Sequence, residues 1–235
     1  MVFVPYCTGD VHLGNKVNAY SPELTIKHVG AVNAGAALAE LVRAFPAATE
    51  VLVAGESAGS IPTPIYGGLL ADLLPGADIE VLGDGSGAYP DVAGINGLLD
   101  SLWGVVDALP DWPETAGLTA ETWSFPELFV VAGQHAPKVT FARHDYAFDE
   151  AQAFFASLGG VDPSNLVSLI DANEVLIEAG GVDLLSYIAP GTDHTVLSWP
   201  EFYTETVEGT SLATWVTDVI ADRPVADVHC VNCQG

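Results

Sequence analysis

Five short apolar runs punctuate the chain, Val2–Tyr6, Val51–Ala54, Ile79–Leu82, Val139–Ala142 and Leu185–Ile188, and each gives way to a turn rich in Gly, Asp or Ser. Runs of this kind, bounded by such turns, read as strands buried on both faces. Between them apolar residues recur with helical spacing over Gly30–Ala44, Gly59–Leu74, Glu150–Ser157 and Leu212–Ala221. The alternation predicts a mostly parallel sheet covered by helices on both faces, a three-layer α/β sandwich. At 235 residues the chain suits one such domain, 1–235. The stretch 88–129 breaks the rhythm, with Trp103, Trp112 and Trp123 set among Pro110, Pro113 and Pro126. Irregular stretches of that length are commonly functional. The expectation is a cap insertion whose Trp103, Trp112 and Trp123 give the substrate an apolar wall. Met1 runs straight into the first apolar run, so the sheet reads as lacking N-terminal strands.

Composition narrows the function classes. Apolar residues make up 49% and charged residues 16%, which is enough to bury a core and excludes global disorder. Six basic residues face 31 acidic ones, a net charge of −25, so the chain has nothing to neutralise a phosphate backbone and no nucleic-acid partner is expected. Anionic lipid surfaces are excluded on the same ground. The acidity reads as solubility, in a salty milieu that screens self-repulsion or in an ordinary secreted setting. No apolar run reaches the roughly 18 residues of a spanning helix, and no basic segment followed by an apolar one marks a signal peptide. Of the three cysteines, Cys7, Cys230 and Cys233, the last two stand in a C-x-x-C without a second pair. They read as a short disulfide rather than a zinc site, which fits an oxidising, secretory compartment. Asp10 and His12 lack a third ligand at useful spacing, so neither a metal nor another cofactor is expected.

The chemistry-bearing motif is Val51-Leu52-Val53-Ala54-Gly55-Glu56-Ser57-Ala58-Gly59, a strand running into G-x-S-x-G and then a helical pattern. A serine on such a turn is held out of the sheet with its Oγ exposed, and Gly55 and Gly59 are expected to remove side chains that would clash. This is the nucleophile elbow of an α/β-hydrolase. Ser57 is the nucleophile it predicts, and the Ala58 N–H is the first oxyanion donor, aided by the positive end of the following helix. Such folds order their residues Ser, acid, His, with the His after the last strand. Of His12, His28, His135, His144, His194 and His229, only His194 sits in such a loop, within Ser186–Thr195. Asp145 and Asp149 both follow the penultimate strand and spacing does not separate them; Asp84 is a third candidate. Asp193 adjoins His194 and would struggle to reach its ring.

These residues resemble the pectin acetylesterase and Notum family of carboxylesterases. Pro5-Tyr6-Cys7-Thr8-Gly9-Asp10-Val11-His12, Gly55–Gly59, Phe148-Asp149-Glu150-Ala151-Gln152 and Gly191-Thr192-Asp193-His194 carry the likeness, with Trp215-Val216 and Cys230–Cys233 beside them. The resemblance implies a secreted α/β-hydrolase that cleaves O-acyl esters, acetyl on polysaccharide or a lipid acyl group on protein, and it selects Asp149 as the acid. Ser60 stands where the family pattern has Gly. The family's Gly-rich oxyanion loop lies upstream of the Pro5–His12 segment, so a second oxyanion donor is expected to be missing, with Thr8-Gly9-Asp10 as the only local substitute. Losing one donor typically costs about 10²–10³-fold in rate. The sequence therefore predicts a serine esterase acting on a small-molecule, polysaccharide or lipid ester. Two alternatives stand beside it: a lipase-, thioesterase- or polyester-hydrolase-like enzyme, and a non-catalytic binding protein on the same scaffold. An exposed sheet edge would also permit a homodimer.

Overall fold

The computed structural model describes residues 1–233. Its strands are β1 (Lys16–Ser21), β2 (Leu24–His28), β3 (Glu50–Glu56), β4 (Asp78–Asp84), β5 (Thr140–Tyr146), β6 (Leu184–Ala189), β7 (Thr206–Val207), β8 (Thr210–Ser211) and β9 (Val228–His229). Its α-helices are α1 (Gly30–Ala44), α2 (Thr63–Leu73), α3 (Ala93–Trp103), α4 (Phe125–His135), α5 (Glu150–Leu158), α6 (Leu166–Ala179) and α7 (Leu212–Ile220). The main sheet runs β3-β4-β5-β6-β9 with every pair parallel, so the α/β assignment holds. Parallel neighbours need long crossovers, and α2, α4 and α6 supply them, packing side by side. β1 and β2 form a separate antiparallel hairpin that the apolar pattern did not foretell, because its side chains are mostly exposed.

Burial follows strand position. β4, inside the sheet, is buried over six of its seven residues, whereas β3, at the outer position, alternates exposed and half-buried. Val81, Phe141 and Leu184 with Ile65, Leu70 and Leu128 build one apolar cluster; Tyr187, Ile188, Trp215 and Val216 build a second. No helix of the described residues is long and apolar enough to cross a membrane.

Three expectations are corrected. Val2–Tyr6 is not a strand: it runs as exposed coil, because among the described residues no strand lies beside it to take up its backbone groups. The helix after the elbow begins at Thr63 rather than Gly59, with a 3-10 turn over Ser57–Gly59 in between. Residues 88–129 are not irregular throughout, since they hold α3 and the start of α4. Cys230 and Cys233 are disulfide-bonded and Cys7 is free and exposed.

Candidate active site

The elbow is built from close backbone approach. A Cβ on Gly55 would lie 2.0 Å from the Gly59 carbonyl oxygen, so only glycine fits at position 55. Gly59 would meet nothing within 4 Å, and the expected clash there is absent. Ser57 adopts φ +55°, a left-handed conformation that non-glycine residues rarely take and that tight functional turns retain. This turn lifts the Ser57 side chain beyond the carboxyl end of β3, where open parallel sheets carry their sites.

His194 reaches the same point from the loop after β6. Its Nε2 lies 2.7 Å from Ser57 Oγ, and its Nδ1 lies 2.6 Å from Asp149 Oδ2. A carboxylate only accepts, so Nδ1 is the donor. In the neutral ring Nε2 is then free to accept the Ser57 proton. Asp149 is wholly buried as the N-cap of α5: its Oδ1 accepts from the Ala151 and Gln152 N–H groups at 2.9 Å each, and its Oδ2 also accepts from Gln152 Nε2 at 3.0 Å. For His194, burial lowers the pKa, but the bond to Asp149 and the charges of Asp149, Asp84 and Asp145 outweigh it, leaving the imidazole above its ordinary value.

The rival acids are engaged elsewhere. Asp145 accepts from the Gly87 N–H and Gln152 Nε2, and Arg143 Nε stands 2.8 Å from its Oδ2 in a buried ion pair bent away from hydrogen-bonding geometry. Asp84 pairs with His144 at 2.8 Å, and Asp193 is exposed. The other histidines are likewise placed apart from Ser57. His28 bridges the Thr8 carbonyl and the Tyr20 hydroxyl, His135 stacks on Trp112 beside Asp72, and His229 contacts Asp171. His12 lines the groove, tilted against Tyr6.

A groove of about 1400 Å³ opens over Ser57, walled by Val2, Phe3, Leu52, Leu99, Trp103 and Phe155 among others. Of the three tryptophans expected in its wall, only Trp103 is there. Trp123 (0% exposed) donates its indole N–H to the Asn96 carbonyl, and Trp112 (5%) donates to Asp72, so both are core residues. An indole is amphipathic, and an inward body with a satisfied N–H serves packing as readily as binding. Just after the Thr8–Asp10 turn, the Val11 N–H donates to the Tyr6 hydroxyl and the His12 N–H to Asp10 Oδ1, so neither is free for an oxyanion. Sequence reasoning missed Gln152, which ties Asp149 to Asp145, and Glu56, whose carboxylate accepts from the Ser198 N–H and hydroxyl. Both stand inside motifs already singled out, but nothing in a motif says which way a neighbouring side chain turns.

Comparison with known proteins supplies independent lines. The family model of pectinacetylesterase matches residues 1–102, a stretch that holds Pro5–His12 and Gly55–Gly59 and ends before Asp149 and His194. No curated protein sequence matches the chain. Among solved structures, the Wnt deacylase Notum from Drosophila is similar with a TM-score of 0.66 at 18% identity, over 97% of this chain and 70% of that one. At that identity the likeness speaks for the fold. The two findings bear out the pectin acetylesterase–Notum resemblance, and the family match over residues 1–102 supports an esterase.

Proposed function

We propose, from the premise that this chain carries the pectinacetylesterase–Notum pattern on an α/β-hydrolase sheet, that it is a serine esterase working through an acyl-enzyme. The observation that carries the reading is the chain of contacts from Ser57 Oγ to His194 Nε2 and from His194 Nδ1 to Asp149, at 2.7 and 2.6 Å. Ser57 attacks the ester carbonyl as its proton passes to His194 Nε2, and Asp149 holds the ring and steadies the imidazolium that forms. The Ala58 N–H bonds the developing oxyanion. His194 returns the proton to the leaving alcohol, then takes one from the water that attacks the acyl-Ser57 and frees the acid. No step needs a metal. The Cys230–Cys233 disulfide and the acidic surface fit a secreted enzyme.

Groove size favours a second reading of specificity within the same chemistry. Ligand pockets of drug-sized molecules span about 300–1,000 Å³, and about 1400 Å³ of mostly apolar space exceeds what an acetyl group fills. A lipase- or thioesterase-like preference for long acyl groups follows from that space, with residues 88–129 acting as a cap through Tyr89, Leu99 and Trp103. Hydrolysis of p-nitrophenyl esters of graded chain length, by wild type and Ser57→Ala, tests both. Ser57-dependent turnover with an optimum beyond butyrate supports the long-acyl reading, and an optimum at acetate supports the acetylesterase. A folded protein as inert as Ser57→Ala on every ester would reduce the chain to a binding scaffold.

A further inference from the structure

His194 sits in a loop without regular structure, yet the base of a serine hydrolase must be held to a fraction of an ångström. Upstream of it the loop is pinned to the Asp149 segment: the Phe148 N–H donates to the Gly191 carbonyl and the Glu150 N–H to that of Thr192, at 3.0 and 3.1 Å. Downstream, the next backbone donors turn into the sheet. The Val196 and Leu197 N–H groups both donate to Asp84 Oδ2, at 2.8 and 2.9 Å. The Ser198 N–H donates to Glu56. Glu56, Asp84, His144 and Tyr187 are register partners on β3, β4, β5 and β6, forming one row across the carboxyl ends of the strands. Gly85 completes the seat: a Cβ there would lie 2.5 Å from the His194 carbonyl oxygen.

Asp84 is in turn held from beneath. His144, fully buried, donates Nδ1 to Asp84 Oδ1 at 2.8 Å and Nε2 to Glu205 Oε1 at 2.9 Å, and two acceptors require both ring nitrogens to carry protons. Burial opposes the charge, but the two carboxylates more than offset it and push the imidazole up to about 9. Tyr146 meets this ring edge-on, and Tyr187 lies tilted against it while donating to the Thr210 carbonyl. None of these groups touches Ser57.

We propose that Asp84, His144 and Glu205 form a positioning device for His194, in which Asp84 clamps the Val196–Leu197 backbone and His144, braced by Glu205, keeps Asp84 aimed. The role rests on the esterase reading. Asp84 must be a carboxylate because both of its oxygens accept: from the loop N–H groups on one side and from His144 on the other. An amide at that position turns a donor toward a donor on one of the two sides, leaving a buried polar group unpaired.

The experiment compares wild type, Ser57→Ala, Asp84→Asn, Glu205→Gln and, as a control carboxylate away from the His194 loop, Asp227→Asn, an exposed residue just before β9 whose parent accepts from the Ser186 N–H. The readouts are kcat and KM on p-nitrophenyl acetate, hydrogen exchange of the Val196 and Leu197 amides, and NMR titration of the His194 ring. In folded Asp84→Asn, kcat falls by about 100-fold, the cost of a misplacement near 1 Å, while KM stays within about twofold. Exchange at Val196 and Leu197 accelerates at least about tenfold, in keeping with loss of hydrogen bonds to a charged acceptor. Asp227→Asn keeps the wild-type kcat. A folded Asp84→Asn with unchanged kcat overturns the proposal, as does a kcat loss that Asp227→Asn shares. If Asp84→Asn does not fold, Glu205→Gln decides: a fall in kcat with KM held supports the device, and wild-type kcat overturns it. If wild type is no faster than Ser57→Ala, the esterase reading fails separately; exchange at Val196 and Leu197 and the His194 titration then show whether Asp84 holds the loop.

Discussion

Replacing Asp149 by asparagine and by alanine separates its two duties. Its Oδ1 caps α5 through the Ala151 and Gln152 N–H groups, while its Oδ2 faces His194 Nδ1 and Gln152 Nε2. Asparagine keeps a cap acceptor, and Asn and Asp are nearly equal at that position. It also puts an NH₂ against His194 Nδ1, which must then accept, so Nε2 carries the proton and can no longer take one from Ser57. That tautomer error costs about 10⁴-fold in kcat where it has been made in a serine hydrolase triad. Alanine loses the carboxylate as well, with a similar loss of kcat, but it also loses the cap, worth about 1 kcal/mol. In a chain of this size that difference lowers Tm by about 2–4 °C relative to asparagine. Turnover of p-nitrophenyl acetate beside a thermal melt reads both quantities. The expected pattern is two variants equally inactive and unequally stable. Asparagine within about tenfold of wild type, or activity that falls in step with Tm across the two, would refute the assignment of Asp149 to His194.

Three further outcomes follow from the same geometry. Because the His194 imidazole stands above its ordinary value and must be neutral to act as base, kcat/KM falls with decreasing pH at a midpoint above about 6.5; in Asp149→Ala the residual activity shows that midpoint lowered, and an unmoved midpoint counts against the pairing. Gly55→Ala drives a Cβ into the Gly59 carbonyl oxygen and loses both stability and activity, whereas Gly59→Ala, with nothing within 4 Å, keeps the wild-type Tm; equal melts for the two would contradict the elbow geometry. Burial first, and then the charges of Asp78, Glu50 and Asp222, push the buried Glu80 up to about 7 from 4.5. A raised folded value means that its contribution to stability is full below about 4.5 and is lost as pH rises through about 7. Glu80→Gln therefore raises Tm at pH 8 and leaves it unchanged at pH 4, and an equal shift at both would show that ionisation is not the cause.

What was legible in the sequence was what local spacing determines. Gly30–Ala44 carries an uninterrupted helical period and folds over those residues. Four of the five apolar runs are strands, because each is flanked in the sheet by another; Val2–Tyr6 has the same composition but no neighbour, and composition does not contain neighbours. β9 is two residues long and joins the sheet only through β6, too short to leave a periodic mark. The elbow was readable because its chemistry is contiguous. Asp145 and Asp149 were inseparable by spacing, since both follow the Val139–Ala142 run, and only the structure puts Asp145 inside β5 and Asp149 at the N-terminus of α5. Trp112 and Trp123 misled for a related reason: whether an indole faces a groove or the core depends on Asp72 and Asn96, which are far away in sequence.

The outer position of β3 has a consequence for how the molecule loses function on heating. Ser57 rides on the least protected strand of the sheet, while His194 and Asp149 depend on β5 and β6 further in. Local openings begin where burial is thinnest and cost less than global unfolding. Separation of β3 from β4 would carry the nucleophile away while the rest of the sheet stays folded. Inactivation would then precede the loss of circular dichroism, and it would reverse on cooling as the strand docks again.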